Sequence, residues 1–182
     1  MKKLVPILLV VLLFSGCTLF NMGNTPTKKT EELLKKYQSL DTTVISQLDD
    51  IINADDTLSA AQKDDYKNVM KNQYQNMTYS IKDEVIDGDS ATVKTEIEVY
   101  DLDDVLDKAN DRLNTNPDEF EDNDGKFSQS KFNDYKLNLM EEQKTKIKYT
   151  LDLVLTKKDN TWTMNDLTET ERQKIHGIYN YD

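Results

Sequence analysis

Two stretches of this 182-residue chain alternate apolar and polar residues so regularly that they fix the backbone period at two. In the first, Ala91, Val93, Thr95, Ile97 and Val99 share one face, and Thr92, Lys94, Glu96, Glu98 and Tyr100 share the other. In the second, Ile147, Tyr149, Leu151, Leu153 and Leu155 point one way. Side chains of a strand alternate between faces, so each run reads as a strand with one face buried and one wet. Asp87-Gly88-Asp89 before the first run, and Lys157 to Thr161 after the second, carry turn chemistry. Tyr79 to Ile86 and Trp162 to Met164 then complete two antiparallel hairpins.

The rest of the chain repeats at helical spacing. Leu33, Leu34, Tyr37 and Leu40 form one stripe, and Val44, Ile45, Leu48, Ile51 and Ile52 form a second, with Asp41-Thr42 kinking or separating them. Ser59-Ala60-Ala61-Gln62 has the spacing of a capping box and opens a third helix with Tyr66, Val69, Met70, Tyr74 and Met77 inward. Leu102, Val105, Leu106, Ala109 and Leu113 predict a fourth helix, followed by an acidic loop from Asn114 to Gln129. Phe132, Tyr135, Leu139 and Met140 predict a fifth. Thr168 and Glu171 could cap a short last one that packs Ile175, Ile178 and Tyr179. The class is therefore α+β: N-terminal helices on a curved antiparallel sheet of two hairpins, with a helical insertion between the hairpins, in a single domain over 30–182.

The start of the chain has a different composition. Lys2 and Lys3 precede eleven apolar residues, Leu4 to Phe14, and Ser15-Gly16 then leads to Cys17, the only cysteine. Eleven residues fall short of the ~20 that a helix needs to cross hydrocarbon, which suits a cleavable export signal. The other reading is an uncleaved signal-anchor extending through Leu19-Phe20. Phe14-Ser15-Gly16-Cys17 resembles the lipobox of bacterial lipoproteins, with phenylalanine where leucine is commoner. The resemblance implies a signal peptide over 1–16, cleavage between Gly16 and Cys17, and a diacylglyceryl group on the Cys17 thiol. It also implies lipid anchorage on the extracytoplasmic side of a cell membrane. Thr18 to Lys29 would be a tether spanning roughly 20 Å as flexible coil.

Charge narrows the partners. With 23 basic and 34 acidic residues the net charge is −11, and loss of Lys2 and Lys3 would leave 21 − 34 = −13. Nucleic acid needs a basic face and is excluded as a partner, and an anionic lipid surface repels such a body, leaving membrane attachment to the anchor. One cysteine and one histidine leave no internal disulfide and no Cys/His zinc site.

The order of elements, the Asp87-Gly88-Asp89-Ser90-Ala91-Thr92-Val93 hairpin and the late Asn160-Thr161-Trp162-Thr163-Met164 strand resemble the NTF2-like (cystatin-like) domains of small bacterial lipoproteins over residues 30–167. The resemblance implies a pocket between the helices and the concave sheet face. The inward strand positions hold no carboxylate, lysine or histidine, so that pocket would be an apolar lining or packed core. The acidic pairs, Asp49-Asp50 through Glu141-Glu142, read as solvated faces. In the loop 118–125, counting from Gly125 as the sixth EF-hand position puts Phe120 first and Lys131 twelfth, where acidic residues belong. That leaves only a loose surface calcium site open. The five glycines, at 16, 23, 88, 125 and 177, build neither a nucleophile elbow nor a phosphate loop. His176 is expected on a peripheral helix in a packing or surface role.

Most tyrosines lie on apolar faces and read as core, with Tyr37, Tyr74, Tyr149 and Trp162 as the candidate ligand contacts. The expectation is a non-catalytic lipoprotein without cofactor or metal, binding a small apolar ligand or an envelope partner protein. An envelope hydrolase using carboxylates, and a structural accessory subunit of a membrane complex, are the alternatives.

Overall fold

A computed structural model describes residues 23–180. It is an α+β fold with six helices and one open sheet of four antiparallel strands among the described residues. Helices α1 (Pro26–Gln38), α2 (Thr42–Asn53) and α3 (Ala60–Asn76) precede strands β1 (Thr78–Asp87) and β2 (Ser90–Tyr100). Helix α4 (Leu102–Thr115), a 3-10 turn (Pro117–Phe120) and helix α5 (Gln129–Glu142) form the insertion. Strands β3 (Lys146–Lys158) and β4 (Thr161–Met164) and helix α6 (Glu169–His176) follow. The sheet order is β1-β2-β3-β4, so β2 and β3 pair directly across the insertion. None of the described helices is long and apolar enough to cross a membrane.

Local chemistry sets the boundaries. Ser59 and Gln62 form the reciprocal capping box at the start of α3, and Thr168 and Glu171 form the same motif at α6. Leu40 adopts a left-handed φ of 54° and Asp41 caps α2, so the first two stripes are separate helices. Gly88 turns the first hairpin at φ 59°, and Asp159 and Asn160, both at positive φ, turn the second as in a primed hairpin turn.

The alternation seen in the sequence is the packing pattern of the sheet. Ala91, Val93, Thr95, Ile97, Val99, Tyr149, Leu151, Leu153 and Leu155 are all at most 2% exposed. They pack against Leu34, Tyr37, Leu48, Met70, Tyr74, Leu102 and Ile175 from the helices, with Ala91, Val93 and Leu155 joining Trp162 in a satellite cluster. The expected pocket on the sheet face is therefore filled: these residues are core. On the outer face Glu96 sits between Lys82 and Lys148, at 3.2 and 3.4 Å. Such exposed pairs contribute little to stability.

Two expectations change, and one irregularity is added to the first hairpin. The tether was expected to run to Lys29, but Thr25 caps α1, Pro26 opens it, and Asn24 is fixed to β4, accepting from Trp162 N–H at 3.0 Å. Proline is pre-set for a first helical turn, so it starts α1 seven residues before Leu33, the first residue of the apolar stripe. Strand β1 carries a bulge between Ile81 and Asp83, which brings Glu84 onto α1, where its carboxylate accepts from Thr27 N–H and Oγ1. Val85 and Ile86 stay exposed. The second change is that the acidic loop is largely folded. Phe120 is buried against Phe132, edge to face at 5.2 Å, and Arg112 pairs with Glu119. Asp122 in that loop accepts from the N–H groups of Asp124 and Lys126, which hold its carboxyl below the usual range. Among the described residues no three His, Cys, Asp or Glu side chains converge as metal ligands. Gly16 and Cys17 lie outside the described residues.

Candidate functional site

An opening lies away from the sheet centre, where α1 and α2 face α6 and the β4–α6 connection. It is a cleft of about 560 Å³. α1 contributes Leu33 and Tyr37; α2 contributes Val44, Gln47, Leu48, Asp50 and Ile51; α3 contributes Tyr74. Met164 to Leu167, with Arg172 and His176, close the far side. Volumes of this size hold small organic ligands. The apolar walls are the edges of the helical stripes, and the polar groups come from the outward flank of α2, from Asn165 and Asp166 in the β4–α6 connection, and from α6.

Its floor is an aromatic group. Tyr37 and Tyr74 meet edge to face at 5.1 Å, and the Tyr74 hydroxyl is 3.1 Å from His176 Nε2. Burial pushes the His176 imidazole down to about 4, with Arg172 adding to the shift and Glu169 opposing it. Burial likewise pushes the phenols of Tyr37 and Tyr74 up. Both members of the Tyr74–His176 pair are thus neutral near pH 7, and the hydrogen bond is between uncharged groups. A histidine titrating this low is a weak base at neutral pH, and the lining contains no serine, threonine or cysteine for it to activate. Arg172 is held to Glu169 at 3.1 Å and also donates to Leu167 O.

Of the expected ligand contacts, the fold brings together Tyr37 and Tyr74. Tyr149 is buried in the main core, donates to Tyr179 O at 2.9 Å and does not line the cleft. Trp162 packs in the satellite cluster under Lys157 and does not line it either. His176 takes the packing role expected of it, against Tyr74, but on the floor of the cleft rather than at the periphery. One signal pointed there: Arg172 and His176 are four apart, hence on one helix face.

The imidazole makes stability depend on pH in a defined window. Its folded value is about 4 against an ordinary 6.5, so the unfolded chain binds the proton more readily. The contribution is fully present above pH 6.5 and is lost as pH falls through 4. Between pH 7.5 and 4.5 the wild type should lose roughly 2 to 3 kcal/mol from this group alone. Urea denaturation at both pH values, for wild type and His176→Gln, isolates it from the carboxylates common to both. Equal losses in the two proteins would refute the assignment.

Comparison with protein-family models, curated proteins and solved structures finds no significant match to this chain.

Proposed function

We propose that this chain is a lipid-anchored extracytoplasmic lipoprotein whose domain, of NTF2-like type, binds a small, largely apolar ligand without catalysis. The observation that carries the reading is the placement of the only cysteine immediately behind a short apolar run and two small residues. A thiol there is suited to acylation, and each buried methylene adds ~0.8 kcal/mol of membrane affinity. The ligand half of the reading is supported by the cleft between α1, α2 and α6. Leu33, Val44 and Leu48 offer apolar contact, while Tyr37 and Tyr74 offer rigid rings at little entropic cost. The neutral, hydrogen-bonded Tyr74–His176 pair suits recognition better than proton transfer at neutral pH.

Each half has its own test. Cys17→Ser in the full chain should abolish labelling by radioactive palmitate and move the protein from the membrane to the soluble fraction. Persistence of either would refute the anchor. For the cleft, the neutral fluorophore N-phenyl-1-naphthylamine serves as probe. Leu33→Lys should weaken its binding by about tenfold, because an ammonium then enters an apolar wall. An unchanged titration curve would place the probe, and the ligand, elsewhere.

A further inference from the structure

A second, smaller cleft of about 230 Å³ lies on the other side of α2, between that helix and α3, α4 and α5. Its wall is apolar, formed by Ile52, Leu58, Leu106, Leu137 and Met140, with Tyr66 beside them. The polar groups around it are nearly all occupied. Asn133 donates to Thr57 O and accepts from Gln129, and the Asp55 carboxylate accepts from Thr57 N–H and Oγ1. The Tyr66 hydroxyl and Lys136 are the exceptions, and Lys136 is the charged one. Its Nζ lies 5.0 Å from the centre of the Phe132 ring and makes no hydrogen bond or ion pair among the described residues.

We infer that this cleft binds a short apolar carboxylate, its chain against Leu106, Leu137 and Met140 and its head group on the Lys136 ammonium. An unpaired, half-buried cation at the edge of an apolar cavity is complementary to an amphipathic anion, because the anion supplies the missing acceptor while its tail covers the wall. The volume sets the size. At about 30 Å³ per non-hydrogen atom it holds about eight, the size of hexanoate. Partial burial holds the ammonium below the usual lysine range, with Asp55 opposing the shift, so an arriving carboxylate would stabilise its charged form. Asp55 competes for the same cation. This site adjoins the cleft of the proposed function, with Ile51 lining both, but uses different polar groups and goes beyond it.

Isothermal titration of the full chain with sodium hexanoate, and with uncharged hexanamide as the shape control, tests the inference. Hexanoate should bind at least tenfold more tightly than hexanamide. Lys136→Met should remove that preference while leaving hexanamide affinity unchanged, and Asp55→Asn should tighten hexanoate several-fold. Failure of hexanoate to bind, equal binding of the two probes, or a Lys136→Met protein that still prefers hexanoate would overturn it. Loss of hexanoate in Leu33→Lys would also overturn it, by moving the acid into the first cleft, and would leave the proposed function standing.

Discussion

Replacing Gly177 by alanine should cost about 4 kcal/mol and lower the melting temperature by about 10 °C. Gly177 ends α6 at φ 75°, where an L side chain is strained. Its N–H bonds to Lys174 O and the Ile178 N–H to Gln173 O, the paired bonds of a Schellman cap. Alanine would add overlap to strain, since its Cβ would lie 2.2 Å from Tyr100 O and 2.2 Å from Gln73 Nε2. The Gln73 amide could swing away. The Tyr100 carbonyl belongs to the end of β2 and can move only with the sheet. Gly177 O in turn accepts from the N–H groups of Leu102 and Asp103, so displacing it also loosens the start of α4. Thermal denaturation followed by far-ultraviolet circular dichroism measures the effect. A change of less than about 1 kcal/mol would mean that the α6 terminus is not docked as described.

Gln73→Leu should cost a similar amount, about 3–5 kcal/mol, by a different route. Gln73 is 1% exposed, and one side chain serves three backbone groups. Its Nε2 donates to Tyr100 O at 2.8 Å and to His176 O at 2.9 Å, and its Oε1 accepts from Tyr100 N–H at 2.8 Å. Leucine keeps most of the volume and deprives all three groups of that partner, each loss costing about 1–3 kcal/mol when buried. Both substitutions act at Tyr100 O, so the double variant should be less destabilised than the sum of the two singles. Strict additivity in a urea-denaturation cycle would show that the two sites do not share that carbonyl. The Tyr74–His176 contact is built on the same junction, so either variant should also weaken probe binding in the first cleft.

Much of this junction escapes a reading along the chain. A capping box announces itself because Ser59 and Gln62, or Thr168 and Glu171, lie three residues apart and solve a local problem of free N–H groups. The strands of β2 and β3 are legible for the same reason: alternation is a property of one extended backbone, and burial follows it position by position. Gln73 carries no such mark. It is a polar residue within a helix, and its value arises from β2 and α6, 27 and 103 residues away. The bulge in β1 is equally silent, because it is fixed by pairing with β2 and by the Glu84–Thr27 contact. Trp162 and Tyr149 had the right chemistry for a ligand site, but side-chain type does not say which gap between elements a residue will face.

The sequence by itself determined the class, the order of the elements, the two capping boxes, the two turns and the apolar faces, since each depends on backbone geometry repeating over a few residues. Tertiary structure alone decided that the sheet face is solid and that the clefts flank α2. It also set His176 against Tyr74 and left the Lys136 ammonium without a hydrogen bond or ion pair among the described residues. Those outcomes depend on how distant elements fit together, and a void is the space that close packing leaves over.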